Sequence, residues 1–277
     1  MTATIDSLPL WVNAAIAATL SVAVAAVGMK AGALDASGAI AAAIVGTLSL
    51  GIGGPAAGAA LLAFFLTGSA LSRLPLRGAT ALSDFGAKGG RRDAQQVLAN
   101  GGVCAACATA SGLLGALHSP LHVAWLAGAV AAIAAASGDT WATELGSRLG
   151  ARPRLITTWR SAPAGESGAV TVLGSLASVA GGALVGACAV PFAGGLPAQR
   201  WVELGALAGF LGSLVDSLLG ASLQAAFRCP ACGRRCEVAV HHAESARLER
   251  GLPWMDNDVV NFVATALTAA AAVILFM

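Results

Sequence analysis

Apolar residues run through this chain in blocks of about 18 to 25, the length that crosses roughly 30 Å of hydrocarbon. The blocks fall near 9–28, 33–51, 54–71, 96–117, 121–147, 168–191, 201–224 and 258–276, with polar and charged residues gathered between them. This pattern predicts an all-α, polytopic transmembrane bundle of about eight spans. It forms one integral membrane domain over 1–277, with a cysteine-rich, zinc-knuckle-like insert at 225–255. Glycine-rich stretches at 46–54 and 205–220 predict breaks in the second and seventh helices, a device that membrane proteins use at binding sites. The first block reads as a retained helix, because residues 1–10 carry no Lys or Arg and the apolar run is longer than a signal-peptide core.

Composition agrees with the pattern: 57% hydrophobic, 11% charged and a mean hydropathy of +0.76 exclude an ordinary soluble domain. The net charge of +2 says little, but its distribution says much. Of the 16 Lys and Arg residues, only Arg200 lies in an even-numbered loop. The others cluster at Lys30, at 73–92, at 148–160 and at 228–250. The positive-inside rule makes that face cytoplasmic and puts both termini outside, in what reads as a prokaryotic plasma (inner) membrane. Basic residues in short loops beside anionic lipid do not point to nucleic acid.

Against this background the acids stand out. Asp139 and Asp216 lie inside apolar blocks, where a carboxylate is costly unless it faces a polar cavity, pairs or binds a cation. Glu144 follows Asp139 by five residues, about 140° round a helix, so the two do not form a simple side-by-side pair. Asp216 has Gly212 and Gly220 four residues to either side, a small-residue stripe that turns it into the bundle. All three acids fall towards the basic face.

The even-numbered spans start on that same face, at 35–38, 95–96, 165–168 and 256–258, and helix N-termini suit phosphate when Lys or Arg stands nearby. The third loop supplies Lys88-Gly89-Gly90-Arg91-Arg92-Asp93, with Gln96 and Asn100 on the helix that follows. No Walker A pattern occurs. Carboxylates, helix N-termini and basic groups on one side are the parts that phosphoryl or nucleotidyl transfer requires.

The seventh loop reads Cys-Pro-Ala-Cys-Gly at 229–233, then Cys236, His241 and His242. That composition suits a structural tetrahedral zinc site. Cys229 and Cys232 are its firm ligands, and His241, His242 and Cys236 compete for the other two places. Cys104, Cys107 and Cys188 lie in spans and read as packing residues.

Five segments together carry a resemblance: Arg92 with 95–101, Gly-Asp-Thr-Trp-Ala-Thr-Glu-Leu-Gly at 138–146, 168–174, 212–224, and Leu-Pro-Trp-Met-Asp-Asn-Asp-Val-Val-Asn-Phe at 252–262. They resemble the transmembrane protein 19-like family of integral membrane proteins. Plant and cyanobacterial members of that family are associated with phytyl-phosphate kinase activity. The resemblance implies an isoprenyl monophosphate kinase that makes the diphosphate from a nucleoside triphosphate, CTP or ATP. In that reading Asp139, Glu144 and Asp216 bind Mg²⁺. Lys88, Arg92, Gln96 and Asn100 orient the nucleotide phosphates, and Asn257, Asp258 and Asn261 complete the polar rim. The family commonly has a His-Cys pair where this chain has His241 and His242, which leaves the fourth zinc ligand open.

Two other activities use the same residues: a cation- or proton-coupled transporter built on the intramembrane acids, and a cytidylyltransferase acting on a lipid phosphate. The outer halves of the spans, nearly all Ala, Gly, Val and Leu, argue against a transport path.

Overall fold

The computed structural model describes residues 10–73, 91–149 and 152–277. Its helices are α1 (Leu10–Lys30), α2 (Ala36–Thr47), α3 (Pro55–Arg73), α4 (Ala94–Ala116), α5 (His122–Leu149), α6 (Val172–Ala189), α7 (Ala198–Ser222) and α8 (Asn257–Phe276). Seven of these are long and apolar enough to span a membrane. The second expected span is the shorter one, because α2 gives way to a π-helical turn at Leu48–Ile52.

The central element is α5. Every residue from 126 to 138 is buried, as expected for a helix that is apolar all round. It packs against α3, α4, α6, α7 and α8, while α1 lies to one side against α2 and the π turn. Large apolar side chains on the outer helices, among them Ile16, Val27, Leu176, Leu207 and Ile274, face outward, as a lipid solvent demands.

Small residues set the helix spacing. Gly205 and Gly209, one turn apart on α7, lie against Gly182 of α6, and the Gly209 carbonyl meets Gly138 of α5 so closely that a Cβ on Gly138 would collide with it. These contacts explain why the glycines of 205–220 do not interrupt α7, contrary to expectation: they serve close packing within a continuous helix. The break expected within 46–54 is present as the π turn. There Gly53 admits Ala108 of α4, and Gly112 of α4 admits the Ile52 carbonyl.

Each even-numbered helix starts with a side-chain cap. Asp35 accepts from the Gly38 N–H at 2.7 Å, Asp93 from Gln96 at 2.9 Å, Thr171 from Gly174 at 2.9 Å and Asp256 from Val259 at 3.0 Å. The α2 and α4 starts are joined by hydrogen bonds from Arg92 N–H to the Ala33 carbonyl and from Asp35 N–H to the Arg92 carbonyl.

The α5–α6 connection forms a small antiparallel pair, β1 (Arg154–Leu155) with β2 (Ala169–Val170), so α6 begins at Val172 rather than near 168. Gly168 sits at φ +84° against Ala221 of α7, a position closed to larger residues. The cysteine-rich insert contains a three-stranded antiparallel sheet in the order β4 (Arg235–Cys236), β3 (Ala226–Arg228), β7 (Arg247–Arg250). Beside it lies the hairpin of β5 (Val240–His241) and β6 (Glu244–Ser245).

Candidate functional site

The ends of α3, α5 and α7 and the starts of α4, α6 and α8 enclose a cavity of about 610 Å³. Asp139, Glu144, Asp216, Arg92, Gln96, Asn100, Asn257, Asp258 and Asn261 all line it. Lys88 lies outside the described residues. Residues separated by more than 160 positions thus converge on one polar chamber, at the basic end of the bundle.

Asp139 and Asp216 are within electrostatic reach of one another across the cavity. The Asp216 Oδ2 atom is covered and has no hydrogen-bond partner among the described residues. Such an atom calls for a cation or a donor from a ligand. Glu144 is differently placed. Its Oε2 pairs with Arg148 at 2.6 Å, and its Oε1 accepts from Ser72 Oγ at 2.8 Å. Arg148 also donates to the Leu71 carbonyl at 3.1 Å, so the pair fastens α5 to the end of α3. The pair is nearly covered, with side-chain exposures of 8% and 15%. Arg148→Ala should therefore lower stability by about 3 kcal/mol, because it strands the Glu144 carboxylate. Equilibrium unfolding in mild detergent measures this, and an unchanged midpoint would show the pair to be dispensable.

On the α4 side, the Arg92 guanidinium lies 5.7 Å from the centroid of the Phe64 ring and donates to Ser69 Oγ at 3.3 Å. Gly68 leaves room for it. Gln96 completes a capping box with Asp93, accepting from the Asp93 N–H at 3.1 Å through Oε1. Asn100 donates to the Gln96 carbonyl at 3.0 Å. Both amides thus have structural duties as well as a place in the cavity wall. Anions arriving at the four helix starts meet capping side chains, three of them Asp. The basic side chains therefore matter more for phosphate than bare helix ends do.

Two lining acids were not foreseen. Glu166 comes from the α5–α6 connection and Glu237 from the cysteine-rich insert. Glu166 pairs with Arg235 at 2.6 Å, and Glu249 holds Arg235 and Arg228 at 2.9 and 2.7 Å. The two arginines keep the Glu249 carboxyl below the usual carboxylate range. Glu237 accepts a hydrogen bond from Ser167, and burial, outweighing that bond, pushes its carboxyl up. The insert therefore docks on the cavity rim and delivers an acid to it. In the sequence Glu237 is one residue from Cys236, and that adjacency was its only signal.

Within the insert, the ligand atoms of Cys229, Cys232 and His241 lie within 4.8 Å of one another. Cys232 Sγ is 3.7 Å from His241 Nδ1. His242 is not in this group, although its ring lies edge-on to that of His241 with centroids 4.2 Å apart. His242 and Ala243 form the two-residue turn between β5 and β6, with φ of 54° and 61°, the left-handed pair that a tight hairpin requires. Cys236 is fully buried beside Cys229 and Val238.

Comparison with known proteins adds the following. The chain is 36% identical over 256 residues to Protein PGR of Arabidopsis thaliana, covering 85% of this chain and 86% of that protein. It is 34% identical over 195 residues to an uncharacterized membrane protein of Methanocaldococcus jannaschii, 69% of this chain and 75% of the relative. It is 26% identical over 269 residues to Protein VTE6, chloroplastic, of Arabidopsis thaliana, 96% of this chain and 72% of the relative. No solved structure matches. The family model described as integral membrane protein DUF92 matches residues 19–269, and the chain belongs to that family.

Proposed function

We propose that the protein is a membrane-embedded kinase of isoprenyl, phytyl-type monophosphates, using a nucleoside triphosphate and Mg²⁺. The observation that carries this reading is the single cavity. It joins two acids embedded in apolar helices to Arg92 and to the polar start of α8, at one end of the helix bundle. The similarity to a chloroplastic plant protein and the resemblance to a family with phytyl-phosphate kinase members support the substrate class.

In the proposed reaction a terminal oxygen of the lipid phosphate attacks the γ-phosphorus of the nucleotide. The bond from that phosphorus to the β–γ bridging oxygen breaks, and nucleoside diphosphate leaves. The acceptor is already an anion, so no strong general base is needed and charge neutralisation dominates. Asp139 and Asp216 would hold Mg²⁺, which offsets the negative charge of the phosphates. Glu144 joins them only by releasing Arg148. Arg92 meets one phosphate, and Asn257, Asp258 and Asn261 complete the lining of the same cavity. The basic face is then cytoplasmic, where nucleotide is available.

A transporter using the same acids needs a polar route onward through the bundle, and the run 126–138 of α5 is apolar and packed. The discriminating test is the by-product formed with purified protein, nucleotide and phytyl monophosphate. Lipid-dependent release of nucleoside diphosphate supports the kinase. Pyrophosphate identifies a cytidylyltransferase instead, and cation uptake by proteoliposomes without nucleotide supports a transporter.

The cysteine-rich insert is proposed to hold a structural zinc through Cys229, Cys232 and His241, with His242 or Cys236 as the fourth ligand. These donors are the soft thiolate and imidazole groups that zinc prefers. Purified protein should carry about one zinc per chain by elemental analysis, and Cys232→Ser should lose most of it. Protein that neither carries nor takes up zinc would remove this site.

A further inference from the structure

A second cavity, of about 240 Å³, lies between α1, α2, α3 and α4. Its walls are almost wholly apolar: Leu20 and Val24 of α1, Ala42 and Val45 of α2, Leu50 of the π turn, and Leu61 of α3 are representative. At one end it reaches Arg92, Gln96 and Asn100, the same three residues that line the polar chamber. The two cavities therefore share a wall made of one cation and two amides.

The groove runs along the helices. Leu50 lies 14 residues beyond Ala36, the first residue of α2, which at ~1.5 Å per residue places the far end roughly 20 Å from the polar rim. That exceeds half of a hydrocarbon core of about 30 Å. Leu20 and Leu62, at 51% and 41% exposure, form part of the lining and also face outward, so the groove has a side open to lipid. Gly46, Gly58 and Gly101 let its walls pack closely on one another: a Cβ on Gly58 would come within 2.7 Å of Leu50, and one on Gly101 within 3.0 Å of Val45. The π turn contributes Leu50 at the deep end, and such turns recur at functional sites.

We infer that the groove between α1, α2, α3 and α4 is the binding site for the hydrocarbon chain of a lipid monophosphate. The chain enters sideways from the bilayer, and its phosphate lies at Arg92. The occupant follows from the juxtaposition: an apolar trough about as deep as one leaflet ends at a half-buried guanidinium that also lines a polar chamber. An acyl or prenyl chain bearing a single anionic head satisfies both parts at once. A neutral lipid would bring no charge to Arg92, whose neutral partners are Ser69 and the Phe64 ring, and a free nucleotide would leave the trough unfilled. Ala42, about 9 Å down the groove from the start of α2, then acts as a chain-length determinant. As an account of kinase specificity this inference rests on the proposed function, but the binding site itself does not.

The test has two arms. In the first, wild-type protein is photolabelled with a hexadecyl monophosphate bearing a diazirine at its chain end, with and without excess phytyl monophosphate. The expected result is labelling at Val45, Leu50 or Leu61 that the competitor displaces. Labelling confined to outer faces, such as Leu176 or Leu207, would overturn the inference. In the second arm, Ala42→Phe should lower the preference for phytyl over geranyl monophosphate by about tenfold or more, since methylenes lose their pocket. An unchanged preference in folded variant would also overturn it. If wild-type protein transfers phosphate to no prenyl monophosphate yet takes label in the groove, the kinase reading falls and the lipid site stands. Should Ala42→Phe fail to fold, the wild-type labelling pattern decides.

Discussion

Asp139→Asn and Asp216→Asn should each reduce phosphoryl transfer by on the order of a thousandfold, with no loss of thermal stability. The two parts of this expectation have different causes. Loss of activity follows from removing a carboxylate that would oppose phosphate charge through a bound cation. Stability is retained because a covered carboxylate is costly in an apolar helix, and an amide of the same shape avoids most of that cost. Asp216 Oδ2, covered and without a hydrogen-bond partner among the described residues, should show the effect most clearly. A purely structural acid would behave in the opposite way, losing stability first. Kinetics and melting in detergent, measured on the same preparations, separate the two cases, and near-full activity in both variants would remove the metal role.

Gly209→Leu should be among the most damaging single changes outside the cavity. Gly209 stands where α5, α6 and α7 meet, so an added side chain would meet the Ser178 carbonyl and Gly182, backbone that has no rotamer to change. Overpacking against fixed backbone costs roughly 3 kcal/mol or more. Gly102→Ala supplies the contrast: nothing lies within 4 Å of its added Cβ, and within α4 alanine is favoured by about 0.5–1 kcal/mol. Unfolding midpoints measure both. A Gly209→Leu protein as stable as wild type would mean that α6 and α7 do not pack as described.

Much of this was legible in the sequence, for identifiable reasons. Lipid forces every backbone polar group to be satisfied within its own helix, so apolar run length alone located the eight helices of the described residues, seven of them long enough to span. The burial cost of a charge singled out Asp139 and Asp216, and both line the cavity. What was missed depends on tertiary contact. Glu237 gave no sign that its loop folds back over Ser167, and Glu144 gave none that Ser72 of α3 would engage it, whereas its pairing with Arg148 one helical turn on follows from their spacing. Glycine misled in one direction: at 46–54 it accompanies a broken helix and at 205–220 a close-packed one, and composition does not distinguish them. The turn at His242 and Ala243, both at positive φ, was likewise not legible, because neither residue type announces a left-handed backbone.

The most direct test of the central claim follows the γ-phosphate itself. Purified protein is incubated with Mg²⁺, γ-labelled nucleoside triphosphate and phytyl monophosphate, and the extracted lipid is analysed. The account predicts labelled phytyl diphosphate, formed by wild type and lost in Asp139→Asn and Asp216→Asn. Unlabelled lipid with either CTP or ATP across a panel of prenyl monophosphates, from protein that is folded by its melting curve, would contradict it.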